Sequence, residues 1–270
     1  MSTPEPTWSA PVPGTDGRVG NPFDSDPVAR RYAHARPYYH RSALALAAGQ
    51  LGIARARLAV DVACGTGLST RAVLDLADRV VALDASPAML RAARPQSRAR
   101  YLVAAAERIP LRDAAADLAT VGAAFHWFDQ PRAFAELARV LRRGGGLAVY
   151  TDFFHGQLCG QPAFTSWLRQ TYLPRYPGPP RRAYFDPAGA LPAGFGDVSY
   201  AEGGIRVPLA PAQLADYLLS QSNAAAAIGS GAISAAALRN QILAETAAFF
   251  PGQGNADAVF GIRVWTAVRR

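Results

Sequence analysis

The stretch Leu58 to Thr70, LAVDVACGTGLST, constrains the fold of this chain more than any other. Leu58, Val60 and Val62 suit a buried strand, and after Asp61 the chain turns through Ala63, Cys64, Gly65, Thr66 and Gly67 into a helix-like pattern. Gly65 and Gly67 let the backbone bend sharply and approach a ligand that any Cβ would push away. A strand, a glycine turn and a helix make a nucleotide cradle, a signal that counts only within a βαβ unit.

That unit follows. Beyond the helix-like RAVLDLA, the run Arg79 to Asp84, RVVALD, is a second apolar strand closed by an acid 23 positions after Asp61. An acidic residue about 20 positions on, at the end of the second strand, is where a nucleoside ribose finds an acceptor for its hydroxyls. A dinucleotide fingerprint would put a third glycine at position 70, where Thr70 stands, so the loop argues for a nucleoside more than for a pyrophosphate.

Asp61-Val-Ala-Cys-Gly-Thr-Gly67, Leu83-Asp-Ala-Ser-Pro-Ala-Met-Leu90, Ala105-Ala-Glu-Arg-Ile-Pro-Leu111 and Ala124-Phe-His-Trp-Phe128 resemble four successive motifs of the class I S-adenosylmethionine-dependent methyltransferases. The likeness is to the small-molecule branch that includes trans-aconitate methyltransferase and the ubiquinone-type C-methyltransferases. It covers roughly residues 25 to 152, and the remainder only by general layout. It implies an α/β fold, a doubly wound Rossmann-like seven-stranded sheet with an antiparallel last strand and a helical lid insertion. It also implies an enzyme that uses S-adenosyl-L-methionine to methylate oxygen, nitrogen or carbon of a small molecule in specialised metabolism.

Carried onto this chain, the resemblance names the cofactor-binding residues as Asp61, Ala63, Cys64, Gly65 and Gly67 in the turn, with Asp84 and Ala85 at the ribose and Met89 against the adenine. Many relatives carry an aspartate where Ala105 stands, to accept from the adenine amino group; here the Ala106 N–H and Glu107 are left for the adenine, and Ala124 for the strand end. In RRYAHARPYY, a Tyr-x-x-x-Arg-Pro segment places Tyr32 and Arg36 near the methionine carboxylate, where arginine can pair bidentately. Phe125, His126, Trp127 and Phe128 stand at the reacting centre; an aromatic face suits a sulfonium, and His126 is either a general base or a pocket-lining ring.

The chain of 270 residues is 50% hydrophobic and 18% charged, globular in composition, and its two cysteines, Cys64 and Cys159, offer neither a disulfide framework nor metal-ligand spacing. No apolar run approaches the ~20 residues of a membrane span, and the start lacks a secretory layout, so the expectation is a cytoplasmic enzyme without a membrane or metal. All 28 basic residues are arginine, giving a net charge of +8. They are scattered, which argues against a nucleic-acid partner; an RNA or protein methyltransferase, and a cyclase or binding relative that keeps the cofactor, are the alternative readings.

Residues 1–22 are expected to be a disordered leader and 23–270 one domain, with 23–152 as cofactor-binding core and 153–192 and 210–255 as lid and substrate insertions, acting as monomer or homodimer. Helices interrupted at Pro37 are expected over Asp24 to Gln50, a third strand over Arg100 to Ala105, a fourth over Asp117 to Ala124, and a helix over Pro131 to Leu141 stopped by Gly144-Gly145-Gly146. Strands at Leu147 to Tyr150, Phe195 to Leu209 and Asp257 to Arg270 complete the sheet, the last two as an antiparallel edge. Arg169, Arg175, Arg181 and Arg182 among Trp167, Tyr172, Tyr176 and Tyr184 suggest a lid that reads an acidic acceptor.

Overall fold

The computed structural model describes residues 25–179, 194–250, 252 and 254–270. Seven strands form one sheet, β1 (Ala56–Val62), β2 (Ala77–Asp84), β3 (Ala99–Val103), β4 (Ala116–Gly122), β5 (Leu141–Leu158), β6 (Phe195–Leu209) and β7 (Ala256–Arg269), in the order β3-β2-β1-β4-β5-β7-β6. The first five are parallel, and β7 runs antiparallel between β5 and β6. The expected antiparallel pairing of the last two strands is present, but β7 lies inside the sheet and β6 is the edge. The leader assigned to residues 1–22 lies outside the described residues.

The parallel core follows from the apolar runs. β1 and β4 are buried along nearly their whole length, as a strand covered on both faces must be. On one face α2 (His40–Leu51) and α3 (Leu68–Leu76) pack Leu44, Ala47, Val73 and Leu74 against Ala59, Val80 and Leu118. On the other, α5 (Gln130–Val140) packs Phe134, Leu137 and Val140 against Val60, Val121 and Val149. Strand order reverses between β1 and β4, so the carboxyl ends of β1, β2, β4 and β5 open on a common crevice.

Two boundaries depart from the sequence reading. The glycines after α5 do not separate helix from strand: β5 pairs Leu141 with Ala116, bulges through Arg142 to Gly145, and rejoins at Gly146 opposite Leu118. Its far end also continues past Tyr150 to Leu158, because β7 supplies a partner that no local pattern announces. On that extension sits a separate apolar cluster, built by α6 (Pro162–Trp167), a π turn over Leu168–Tyr172 that runs into the exposed α7 (Leu173–Arg175), α8 (Pro211–Leu219), α9 (Ser222–Gly229) and α10 (Ala235–Thr246). Phe164, Tyr172, Leu214, Tyr217 and Leu238 meet Leu158 and Phe260 there. The remaining helices are α1 (Asp26–Ala35), which packs on α8, and α4 (Pro87–Arg91).

Candidate functional site

The glycine turn is built by hydrogen bonds that converge on two aspartates. Asp84, at the end of β2, accepts the Gly65 N–H on Oδ2 and the Ser86 N–H on Oδ1, both at 2.8 Å, so one carboxylate fixes the turn after β1 and the start of α4. Ser86 caps α4 by accepting the Met89 N–H, as its place before Pro87 predicts. Gly65 and Gly67 hold φ of +55° and +80°, and an added Cβ would lie 3.1 Å from Met89 Cε and 2.9 Å from Tyr101 Oη respectively. The backbone here is bare for a reason. Ala63 and Ala123, at the ends of β1 and β4, also take left-handed φ of 56° and 52°, a strain of ~1–2 kcal/mol each that alanine gives no hint of in the sequence.

Asp61 is not open to a ligand. Its side chain is fully buried and accepts from Ser69 and Thr70 at 2.7 Å and from Thr120 at 2.9 Å, tying β1 to the first turn of α3 and to β4. Burial pushes its carboxyl up to about 6, against the pull of the three hydroxyls, with Asp84 adding to the rise. It shapes the turn from behind rather than touching what the turn holds. Cys64 is buried too, and burial, with Asp61 and Asp84 nearby, pushes its thiol well above the usual range, so it is no nucleophile.

Three further groups of motif residues also make contacts within the chain. Glu107 accepts the Asp129 N–H at 2.8 Å, so this contact fastens the loop after β3 to the start of α5. Met89 packs with Ala29, Ala88 and Tyr32 between α1 and α4, with its methyl beside Gly65. Phe125 and Phe128 belong to the core with Phe134, which leaves Trp127 and the buried His126, ring centroids 4.9 Å apart, as the aromatic pair of the turn after β4. Ala106 is buried, Ala85 exposed, and Ala124 opens the turn that carries His126.

Tyr32 and Arg36 do come together. The Arg36 guanidinium lies 4.8 Å from the Tyr32 ring centroid and 5.6 Å from that of Tyr217, and donates to the Ser220 carbonyl at 3.1 Å. Burial opposes its charge, while Tyr32, Tyr217 and Asp152 together hold the group above its ordinary range. Asp152, on β5 just past Tyr150, is the residue the sequence reading missed. Burial raises its carboxyl, with Arg36 and the Tyr39 hydroxyl offsetting part of the rise. The available signal was an acid closely following the fifth apolar run. Beside it His40 stacks on Tyr39 at 4.2 Å and shares a 3.1 Å hydrogen bond with the Tyr150 hydroxyl; burial first, then Arg36 and Arg71, lower the imidazole to about 3, so it is neutral.

The expected arginine-lined lid does not form from the described residues. Arg175 pairs outward with Glu245 at 2.7 Å and Arg169 is exposed, while Tyr172 and Tyr176 are buried in the lid's own core. Trp167 donates to the same Glu245. Arg181, Arg182 and Tyr184 lie outside the described residues.

Buried polar atoms without a partner among the described residues include Thr66 Oγ1 in the glycine turn and, near α1, Arg36 Nε and the Tyr39 hydroxyl. With a bare turn and a ribose-type acid beside it, this set fits a nucleoside carrying a charged tail. Residues 60–149 match the family described as "Methyltransferase domain". A methyltransferase of Mycobacterium tuberculosis without assigned function is 42% identical over 121 residues, 44% of this chain and 47% of that protein. The malonyl-[acyl-carrier protein] O-methyltransferase of Pseudescherichia vulneris is 38% identical over 137 residues, 50% of this chain and 51% of that one. The chain thus spans about half the length of these relatives. A solved structure of a proposed type II methyltransferase from Anaeromyxobacter dehalogenans superposes with a TM-score of 0.63 at 28% identity, covering 83% of this chain and 95% of that one. The fold is the Rossmann-like methyltransferase fold, with S-adenosyl-L-methionine as the cofactor it implies. No described helix is long and apolar enough to cross a membrane.

Proposed function

We propose that this chain transfers the methyl group of S-adenosyl-L-methionine to a small-molecule acceptor. The observation that carries the reading is the joint geometry of Gly65, Gly67 and Asp84: a backbone that a Cβ would block, held open by the carboxylate that stands at the ribose position of a βαβ unit. A carboxylate has about four acceptor sites, enough to take ribose hydroxyls beside the Gly65 and Ser86 N–H groups.

The cofactor, when bound, brings an already activated methyl group. The chain's own work is therefore binding, orientation and exclusion of water, and such positioning supplies ~7–11 kcal/mol of a barrier. Asp84 orients the ribose, the Ala106–Glu107 loop bounds the adenine, and Tyr32 and Arg36 close over the methionine end, with α1 fixed by packing on α4 and α8. His126, on the turn after β4, is the candidate base for a phenol, amine or carbon acid; a carboxylate acceptor needs none. We keep the small-molecule branch, with its likeness to trans-aconitate and ubiquinone-type enzymes, as part of this reading, supported by the malonyl-[acyl-carrier protein] O-methyltransferases among the relatives.

Calorimetric titration with S-adenosylhomocysteine, followed by an acceptor screen that reads its formation from the methyl donor, tests the proposal. Binding at a single site and turnover with an acceptor of the panel are expected. Tight binding without turnover of any acceptor would favour a relative that keeps the cofactor without methylating, and salt-sensitive turnover of RNA a nucleic-acid substrate.

A further inference from the structure

β6 is an edge of the sheet, and β7 is its one strand partner among the described residues. Its neighbours settle which of its backbone groups face outward. The Asp257 carbonyl accepts from the Cys159 N–H, so Asp257 turns its backbone toward β5; Pro208, opposite it on β6, therefore turns away from β7, as suits a residue with no N–H to give. The register is unbroken from Ser199 to Leu209, so Tyr200, Glu202, Gly204 and Arg206 also point N–H and C=O away from the sheet. These residues and Pro208 are all exposed on one face, while Ile205 and Val207 pack inward against the lid cluster.

A long bare edge is a template for another strand. This one is bounded by the bulge between Gly196 and Ser199 at one end and by Pro208 at the other, and between them it reads alike in both directions. Glu202 and Arg206 lie equally far from Gly204, and so do Tyr200 and Pro208. A two-fold axis at Gly204 sets each against its counterpart in a second copy. Every outward N–H then meets a carbonyl, Glu202 faces Arg206, Tyr200 lies against the Pro208 ring, and Gly204 brings no side chain to the axis. An axis at Glu202 or at Arg206 would instead oppose like charges. Within one copy Glu202 is already held by Arg263 at 3.2 Å and by the Tyr200 hydroxyl, whereas Arg206 has no ion pair among the described residues; the second copy supplies one.

We propose that β6 is a homodimer interface, in which two copies of this chain join edge to edge, antiparallel, about a two-fold axis at Gly204, with a Glu202 to Arg206 ion pair on either side. Such an interface is isologous, the same strand meeting itself, which is why a charge pattern symmetric about one residue favours a second copy over a foreign strand. It is independent of the cofactor and of the function proposed above.

The test is sedimentation velocity and native mass spectrometry on the full chain, with melting curves to check that each variant is folded. The parent should sediment at twice the chain mass. Arg206→Glu opposes two carboxylates on each side of the axis and Glu202→Arg two guanidiniums, so each alone should weaken dimerisation by about 10- to 100-fold. Mixed in equal amounts, the two variants should recover a dimer that holds one copy of each, because every cross-strand pair is then of opposite sign. A parent that stays monomeric up to its solubility limit overturns the proposal. So does a dimer that both variants keep at the parent's affinity, which would put the interface elsewhere, and so does a mixture of folded variants that yields no mixed dimer. Hydrogen exchange on the parent decides the matter if a variant fails to fold. The amides of Tyr200, Glu202, Gly204 and Arg206 should exchange more slowly in the concentrated dimer than on dilution, and equal rates overturn the proposal.

Discussion

Replacing Asp61 by asparagine should make the protein more stable at neutral pH and change the shape of its stability curve. The carboxyl sits at about 6 in the fold, against 3.8 for a free aspartate, because burial outweighs the hydroxyls of Ser69, Thr70 and Thr120. The folded chain therefore holds this proton more tightly than the unfolded one, so the associated stability is full below about pH 4 and is lost as pH rises through about 6. A shift of about 2 units at ~1.36 kcal/mol each makes the loss about 3 kcal/mol by pH 7. Asparagine keeps the shape: its oxygen can accept from Ser69 and Thr70, and its NH2 can donate to the Thr120 hydroxyl, which also accepts. Urea unfolding of parent and variant at unit steps from pH 4 to 8 isolates the effect, since other carboxyls contribute equally to both. The two should be nearly equal at pH 4, with asparagine ahead by about 3 kcal/mol at pH 7. A difference that is flat across this range, or that slopes the other way, would refute the reasoning and put the carboxylate's hydrogen bonds above its burial.

Gly67→Ala combines a left-handed φ of +80° with a Cβ 2.9 Å from Tyr101 Oη, so it should lower stability by ~1–2 kcal/mol from the backbone alone and weaken S-adenosylhomocysteine binding. Adding Tyr101→Phe should recover the steric part of the loss, as read by melting temperature. Asp117 accepts the N–H groups of Arg57 and Leu58 and pairs with Arg142; burial would raise its carboxyl, but these partners outweigh it and hold it below the usual range. Asp117→Ala should therefore cost ~1–3 kcal/mol at pH 7, and the penalty should fade as pH drops below the ordinary carboxylate range, where the parent loses the same contribution.

The parallel half of the fold is legible because buried strands and their glycine turn are local patterns: LAVDVACGTG and RVVALD locate β1, the turn, β2 and Asp84 without knowledge of anything distant. Contacts of long sequence range are not legible. β5 reaches Leu158 because β7 pairs with it about a hundred residues later, and Asp152 meets its partners only because the link between α1 and α2 carries Arg36 and Tyr39. The same limit applies to the partners of two motif carboxylates. Asp61 and Glu107 sit at motif positions, but whether an acid meets a ligand or a hydroxyl and a backbone N–H depends on Thr120 and Asp129, which no spacing within the motif reveals. Arg175 misleads for a related reason, since the Glu245 that neutralises it comes from α10.

The central claim is that the β1 turn and Asp84 hold the cofactor, and a crystal structure with S-adenosylhomocysteine tests it most directly. Both ribose hydroxyls should lie within hydrogen-bond distance of the Asp84 carboxylate, with the nucleoside over Gly65 and Gly67 and the adenine beside Ala106. A nucleoside bound elsewhere, or a ribose that leaves Asp84 bonded only to its own backbone neighbours, would contradict the account.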